Sequence, residues 1–177
     1  MREHFDVAYE SMILAEGGYK LYTVPGDTGG MTYAGIARNP NPQWEGWRFI
    51  DANQIPPTEL VRKFYLDGWW VPMRLDDIVD PAAAISLFKF AMNSSAYGRP
   101  LVAIKVAQLA AKVTPDGFIG PVTVDAINAM LPELFLARLT IAQVARYTEI
   151  CNKDRTRVQA KTFLLGWNNR ALKGFAL

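Results

Sequence analysis

Glu16-Gly17-Gly18-Tyr19, running on to Gly26-Asp27-Thr28-Gly29-Gly30-Met31-Thr32-Tyr33-Ala34-Gly35-Ile36, is the stretch on which the fold turns. Just upstream, Phe5, Tyr9, Met12 and Ile13 recur at i, i+4, i+7 and i+8. That spacing is one apolar stripe and predicts a helix from Phe5 to Ala15. Asp6 stands near its start, where an acid complements the helix dipole. Gly17-Gly18 supply a left-handed stop. Downstream, Tyr22, Val24, Met31 and Tyr33 favour strands, while Pro25-Gly26-Asp27 and Gly29-Gly30 mark turns. Tyr19 to Ile36 therefore reads as a short twisted hairpin or three-strand sheet.

The rest of the chain reads as helix. Arg38 to Pro57 is irregular, a long loop with Trp44 and Trp47, and loops of that length are often functional. Thr58 is expected to cap a helix running to about Leu66. Pro81 to Ser94 is apolar nearly all round and predicts a central, buried helix. Helices follow over Leu101–Val113, Val122–Met130 and Pro132–Cys151, with a last one starting at Asp154. The expectation is a mainly α molecule: a helical bundle with a small N-terminal β-hairpin or three-strand sheet. Residues 1–80 form one lobe and 81–177 a second helical lobe, packed as one compact unit.

Composition narrows the chemistry. The chain has 177 residues, one cysteine and one histidine, Cys151 and His4. An internal disulfide is impossible, and a zinc site or a Ser-His or Cys-His mechanism is disfavoured. No metal or organic cofactor is implied, and carboxylates become the expected catalysts. No run approaches the roughly 20 apolar residues of a membrane span, and charged residues interrupt any N-terminal signal. We therefore expect a chain made in the cytoplasm, without stable membrane insertion. Residues 1–88 hold 7 Lys/Arg against 12 Asp/Glu, and residues 89–177 hold 12 against 5. The basic second half, including the cluster Lys153, Arg155, Arg157 and Lys161, suits an anionic partner or a solvated helix surface. No helix gathers basic side chains into a reading motif, which argues against nucleic acid.

Glu16 falls in the last turn of its helix, against the negative end of the dipole. That is a poor place for a structural acid and a good place for a general acid. Glycoside hydrolysis pairs such an acid with a second carboxylate that attacks, steadies a cationic transition state or activates water. Asp27 is the candidate partner, and the Thr32 hydroxyl could orient a water. Tyr19, Tyr22 and Tyr33 could stack on or hydrogen-bond sugars, and Gly29, Gly30 and Gly35 allow close approach to the backbone. By residue type alone, a capped helix followed by an ordinary hairpin explains the same stretch.

The ordered set Glu16, Gly17, Gly18, Tyr19, Asp27, Gly29, Gly30, Thr32, Gly35 and Ile36 resembles the N-terminal signature of the glycoside hydrolase 108 family. That family comprises N-acetylmuramidases of phage endolysins, with relatives that act as bacterial secretion activators. The family's catalytic glutamate carries over to Glu16. The layout is also similar to the Glu, Asp and Thr set of phage-type lysozymes, with a longer Glu-to-Asp and a shorter Asp-to-Thr gap. Phe90-Ala91-Met92-Asn93-Ser94-Ser95, Asp116-Gly117-Phe118-Ile119-Gly120-Pro121-Val122-Thr123 and Gly166-Trp167-Asn168-Asn169-Arg170 resemble the predicted peptidoglycan-binding region that accompanies the family.

The resemblance implies an α+β lysozyme-like fold and a monomeric peptidoglycan hydrolase, a muramidase cutting the β-1,4 bond between N-acetylmuramic acid and N-acetylglucosamine. Its partner is the peptidoglycan glycan strand, and its role is that of an endolysin reaching the wall after release from the host cytoplasm. Catalysis is expected from Glu16, Asp27 and Thr32, and substrate contact from Tyr19, Gly29, Gly30, Tyr33 and Asn93. Retention or inversion depends on the carboxylate separation. A lytic transglycosylase and a non-enzymatic, wall-binding secretion helper are the alternatives. Trp69 or Trp70 is expected in the core, and Trp44 and Trp47 are candidates for the cleft rim.

Overall fold

The computed structural model describes residues 3–23, 28–94, 100–153 and 158–175. Asp27, Val24 and the cluster at Arg155 and Arg157 lie outside the described residues. The first helix, α1 (Glu3–Ala15), buries Phe5, Ala8, Tyr9, Met12 and Ile13, the stripe that the spacing predicts with Ala8 added. Three short strands follow, β1 (Leu21–Thr23), β2 (Met31–Tyr33) and β3 (Ile36–Ala37), paired antiparallel in the order β1-β2-β3. Tyr33 pairs with Ile36 across a two-residue turn, Ala34-Gly35. Both turn residues have positive φ, +49° and +79°. That is the tight hairpin turn whose twist matches its strands.

Arg38 to Pro57 is less irregular than its composition suggests. It contains a short helix, α2 (Trp47–Asp51), and Arg38 clasps Asp51 with two hydrogen bonds of 2.7 and 2.8 Å. Its tryptophans are packing residues and not rim residues. Trp47 is 3% exposed and donates its indole N–H to the Asn41 carbonyl at 2.7 Å. Half-buried Trp44 donates to the Leu60 carbonyl and lies against Trp47, Phe64 and Tyr33. The expected Thr58 cap is absent: α3 (Thr58–Tyr65) starts after Pro57, with no side-chain cap. Proline there removes a free N–H, and the Thr58 hydroxyl turns to Glu59 instead. The helix then widens into a π turn over Leu66–Trp70 that carries both tryptophans inward.

A 3-10 turn (Leu75–Asp77) leads into α4 (Pro81–Ser94), the central helix. Asp80 caps it by accepting the Ala83 N–H at 2.7 Å. On one side α4 packs against α1, and on the other against α5 (Leu101–Ala110), α7 (Pro132–Lys153) and α8 (Val158–Phe175). Between α5 and α7 lies α6 (Pro121–Asn128). The division expected at residues 80 and 81 falls just ahead of this shared helix. Phe5, Trp70 and Phe88 meet edge to face in the core, with centroids 5.3 to 5.9 Å apart. Arg62 of α3 lies over the Phe5 ring and pairs with Asp6, tying α3 to α1. None of the helices is long and apolar enough to cross a membrane, among the described residues.

Candidate active site

Glu16 directly follows α1, its N–H still donating to the Met12 carbonyl at 3.0 Å, and the two glycines after it close the helix end. The Gly18 N–H donates to the Ile13 carbonyl at 2.8 Å, and the Gly17 N–H to the Leu14 carbonyl at 3.1 Å. With φ of +85° and +82°, both glycines are left-handed. This double clasp satisfies carbonyls that a helix end otherwise leaves open, and it fixes the backbone of Glu16 while its side chain stays exposed.

What the carboxylate meets is set by Gly35 in the hairpin turn. A Cβ placed on Gly35 would lie 2.7 Å from the Tyr65 hydroxyl and 3.3 Å from Glu16 Oε2. The absent methyl thus lets a phenol and a carboxylate approach from either side of one turn. Tyr65, 1% exposed, donates its O–H to the Ala34 carbonyl at 2.7 Å. Burial first, and then the negative charge of Glu16, push its pKa well above the ordinary phenol value. Tyr65 is therefore neutral wherever the protein works, and it anchors the hairpin beside Glu16. The Tyr9 and Tyr19 hydroxyls share a hydrogen bond of 2.9 Å, which leaves Tyr19 41% exposed on the other flank.

In front of Glu16 opens a cleft of about 560 Å³. Its near wall is α1, with Ser11, Met12 and Glu16. The remaining lining comes from Ser86, Lys89 and Asn93 of α4, Gln143 and Tyr147 of α7, and Asn169, Arg170 and Lys173 of α8. Tyr147 sits between Phe90 and Trp167, so one aromatic stack joins α4, α7 and α8 beneath the cleft. Among the described lining residues Glu16 is the one carboxylate. No group of three or more potential metal ligands occurs among the described residues.

The structure brings two of the expected residues, Glu16 and Asn93, into one cleft. Asn93 donates to the Lys89 carbonyl at 2.7 Å and is exposed. Tyr33 is 4% exposed and lies face to face with Trp44. Thr32 is buried on β2 with its hydroxyl 3.4 Å from the Gly30 carbonyl, away from the described lining. Gly29 and Gly30 belong to the turn before β2, and the space beside Gly30 is taken by the Asn39 side chain at 3.0 Å. Close approach to Gly30 is thus made by the protein's own Asn39 side chain.

Residues 9–95 match the glycosyl hydrolase 108 family, and residues 101–172 match a predicted peptidoglycan domain. The N-terminal half of the chain belongs to the glycosyl hydrolase 108 family. Glu16 and its hairpin lie inside that match, and so does α4; α7 and most of the cleft-lining part of α8 lie inside the second. The chain is accordingly a glycoside hydrolase whose partner is peptidoglycan. A solved structure, that of Brucella abortus SagA, is similar over 99% of this chain and 94% of its own, at 25% identity and a TM-score of 0.76. That likeness covers the whole arrangement of the glycosyl hydrolase 108 region and the helices behind it. No curated protein matches the chain.

Sequence reading missed most of the lining. One signal was present: Ser86, Lys89 and Asn93 fall at i, i+3 and i+7 of an otherwise apolar helix, a polar stripe down one face of α4. On α8 the signal was the Gly166–Arg170 stretch that resembles the peptidoglycan-binding region, of which Gly166, Asn169 and Arg170 line the cleft, whereas Gln143 and Tyr147 of α7 gave none.

Proposed function

We propose that this glycoside hydrolase is an N-acetylmuramidase, cutting the β-1,4 bond between N-acetylmuramic acid and N-acetylglucosamine, with Glu16 as the general acid. The observation that carries the reading is the placement of Glu16: the one carboxylate among the described lining residues, on a clasped helix end, in a cleft whose α7–α8 wall belongs to the peptidoglycan domain. A proton from Glu16 passes to the leaving glycosidic oxygen as the bond to the anomeric carbon breaks. The cationic sugar is then captured by water, which returns a proton to a carboxylate. In this reading Asp27 steadies the cation or activates the water. Tyr19 and Asn93 touch the glycan. The finer role is that of an endolysin, made in the host cytoplasm and acting on the wall after release, as the resemblance of the Glu16–Ile36 signature suggests.

Clearing of purified sacculi tests the assignment. Glu16→Gln is expected to lower the rate by about 10²- to 10⁴-fold, the usual range for a positioned acid. Wild-type clearing by that variant would remove Glu16 from the mechanism and favour a wall-binding role. Mass spectra of the products carry the second decision. Reducing muramic ends support hydrolysis, whereas anhydromuramic ends identify a lytic transglycosylase.

A further inference from the structure

The cleft has an acid on one side and cations on the other. Lys89 projects from α4, and Arg170 and Lys173 from α8, into the same lining as Glu16. Among the described residues none of the three cations has an ion-pair partner. Arg170 lies close enough to Tyr147 for its charge to offset part of the upward pKa shift that burial gives that phenol. Cations left unpaired inside a concave, partly apolar wall concentrate a positive potential there.

Two further features mark this wall as built to receive something. Ser86 and Gln143 are each 5% exposed and line the cleft, and among the described residues neither side chain has a hydrogen-bond partner. Buried polar side chains are normally satisfied, so these two are available to a ligand's amide groups. Gly166 sits in mid-helix, one turn before Arg170, and nothing lies within 4 Å of where its Cβ would be. A glycine in mid-helix is less stable than an alanine, and here no packing among the described residues accounts for it. It leaves α8 open to close approach on the cleft side.

We infer that the α4–α8 wall is a subsite for the carboxylates of the peptide stem carried by the muramic acid. This rests on reading the cleft as a peptidoglycan site. A muramyl residue differs from a plain amino sugar by a lactyl arm and the peptide attached to it, whose free ends are anionic. Lys89, Arg170 and Lys173 supply the countercharge, and Ser86 and Gln143 hydrogen-bond the amides. The peptidoglycan domain then acts inside the catalytic cleft, and it makes the enzyme choose stem-bearing glycan over bare glycan.

Calorimetric titration in a Glu16→Gln background tests this with three soluble tetrasaccharides. One carries peptide stems, one is the same fragment stripped by an amidase to its lactyl carboxylates, and one is the uncharged N-acetylglucosamine tetramer. The stem-bearing fragment is expected to bind about tenfold tighter than the uncharged one, a margin of about 1.4 kcal/mol. Arg170→Gln with Lys173→Gln should collapse that margin, the charge-reversed pair Arg170→Glu and Lys173→Glu should invert it, and salt should shrink it. The inference is overturned if the margin is absent, if it survives the double substitution, or if the stripped fragment retains all of it. Fragment cleavage by the Glu16→Gln background would instead remove the catalytic assignment, while the ratio of affinities still reports on the subsite.

Discussion

Gly35 carries no side chain, and the Tyr65 hydroxyl and the Glu16 carboxylate occupy the space a side chain would take. Gly35→Ala therefore places a methyl against a buried phenol, in a residue that already has a positive φ. A non-glycine residue in that region costs about 1–3 kcal/mol. The expected outcome is a lower melting temperature, because the methyl meets the Tyr65 hydroxyl, together with a loss of sacculus clearing larger than the loss of folded protein, because it also crowds the Glu16 carboxylate at 3.3 Å. Equal losses in both measurements would separate Gly35 from the site. Tyr65 makes a prediction in pH. Burial raises the pKa of Tyr65 and of Tyr9, Tyr33 and Tyr147 above the ordinary phenol value of 10.0. The unfolded chain gives up these protons near pH 10 and the native one only at higher pH. Their stabilisation is thus complete below about pH 10 and falls as pH rises beyond it. Thermal melts between about pH 8 and 11.5 should be flat and then drop on the alkaline side, and the drop should soften in Tyr65→Phe. The helix end at Glu16 and its two left-handed glycines were readable from residue order alone. Tyr65 was not, because nothing in a Lys-Phe-Tyr-Leu sequence tells which backbone carbonyl the phenol will meet 31 residues away.

At the scale of elements, the loop Asp116–Thr123 turns out to be a structural clasp. Gln108, 1% exposed on α5, donates to Asp116 Oδ1 at 2.7 Å, to the Phe118 carbonyl and to Thr123 Oγ1, and accepts the Gly117 N–H at 2.9 Å. Asp116 also accepts the Phe118 N–H, and these bonds hold its carboxyl below the usual range, the backbone bond first and Gln108 second. A group depressed in this way stabilises the fold above its unfolded pKa and loses that effect as pH falls through its native value. Gln108→Leu should leave the Gly117 N–H and the Asp116 carboxylate without their partner, costing about 1–3 kcal/mol by denaturant melts near neutral pH. Asp116→Asn should shrink the acid limb of the stability curve. A change in wall binding with no change in stability would contradict the structural role. The turn itself was legible from Asp-Gly and Gly-Pro, whereas its anchor was hidden: a glutamine in an alanine-rich helix looks like a solvent-facing residue. The capping of α3 was misread for a local reason, since Pro57 occupied the position that Thr58 was expected to hold.

Over the whole molecule, α4 is a shared partition. Its Phe90 and Ala91 are buried, and its polar stripe faces the cleft. A chain ending at residue 100 loses α5, α7 and α8 together and uncovers apolar surface along α4. It should show no cooperative thermal transition and no clearing activity, even with Glu16 intact. A truncated chain that folds and cuts sacculi would make the C-terminal region a separable anchor. The helical class, the small sheet and the central helix were all legible in periodicity and punctuation, because those signals are local. The cleft was not, because it is a relation between residues 16, 89 and 170, and only packing brings those together.

That relation also fixes an order of events. Glu16 leaves the ribosome ahead of α4, α7 and α8, and the wall facing it is finished only when Arg170 and Lys173 have emerged and α8 has docked. A partly made chain therefore carries the acid without a cleft to use it in. The cleft is complete only once α8 has docked.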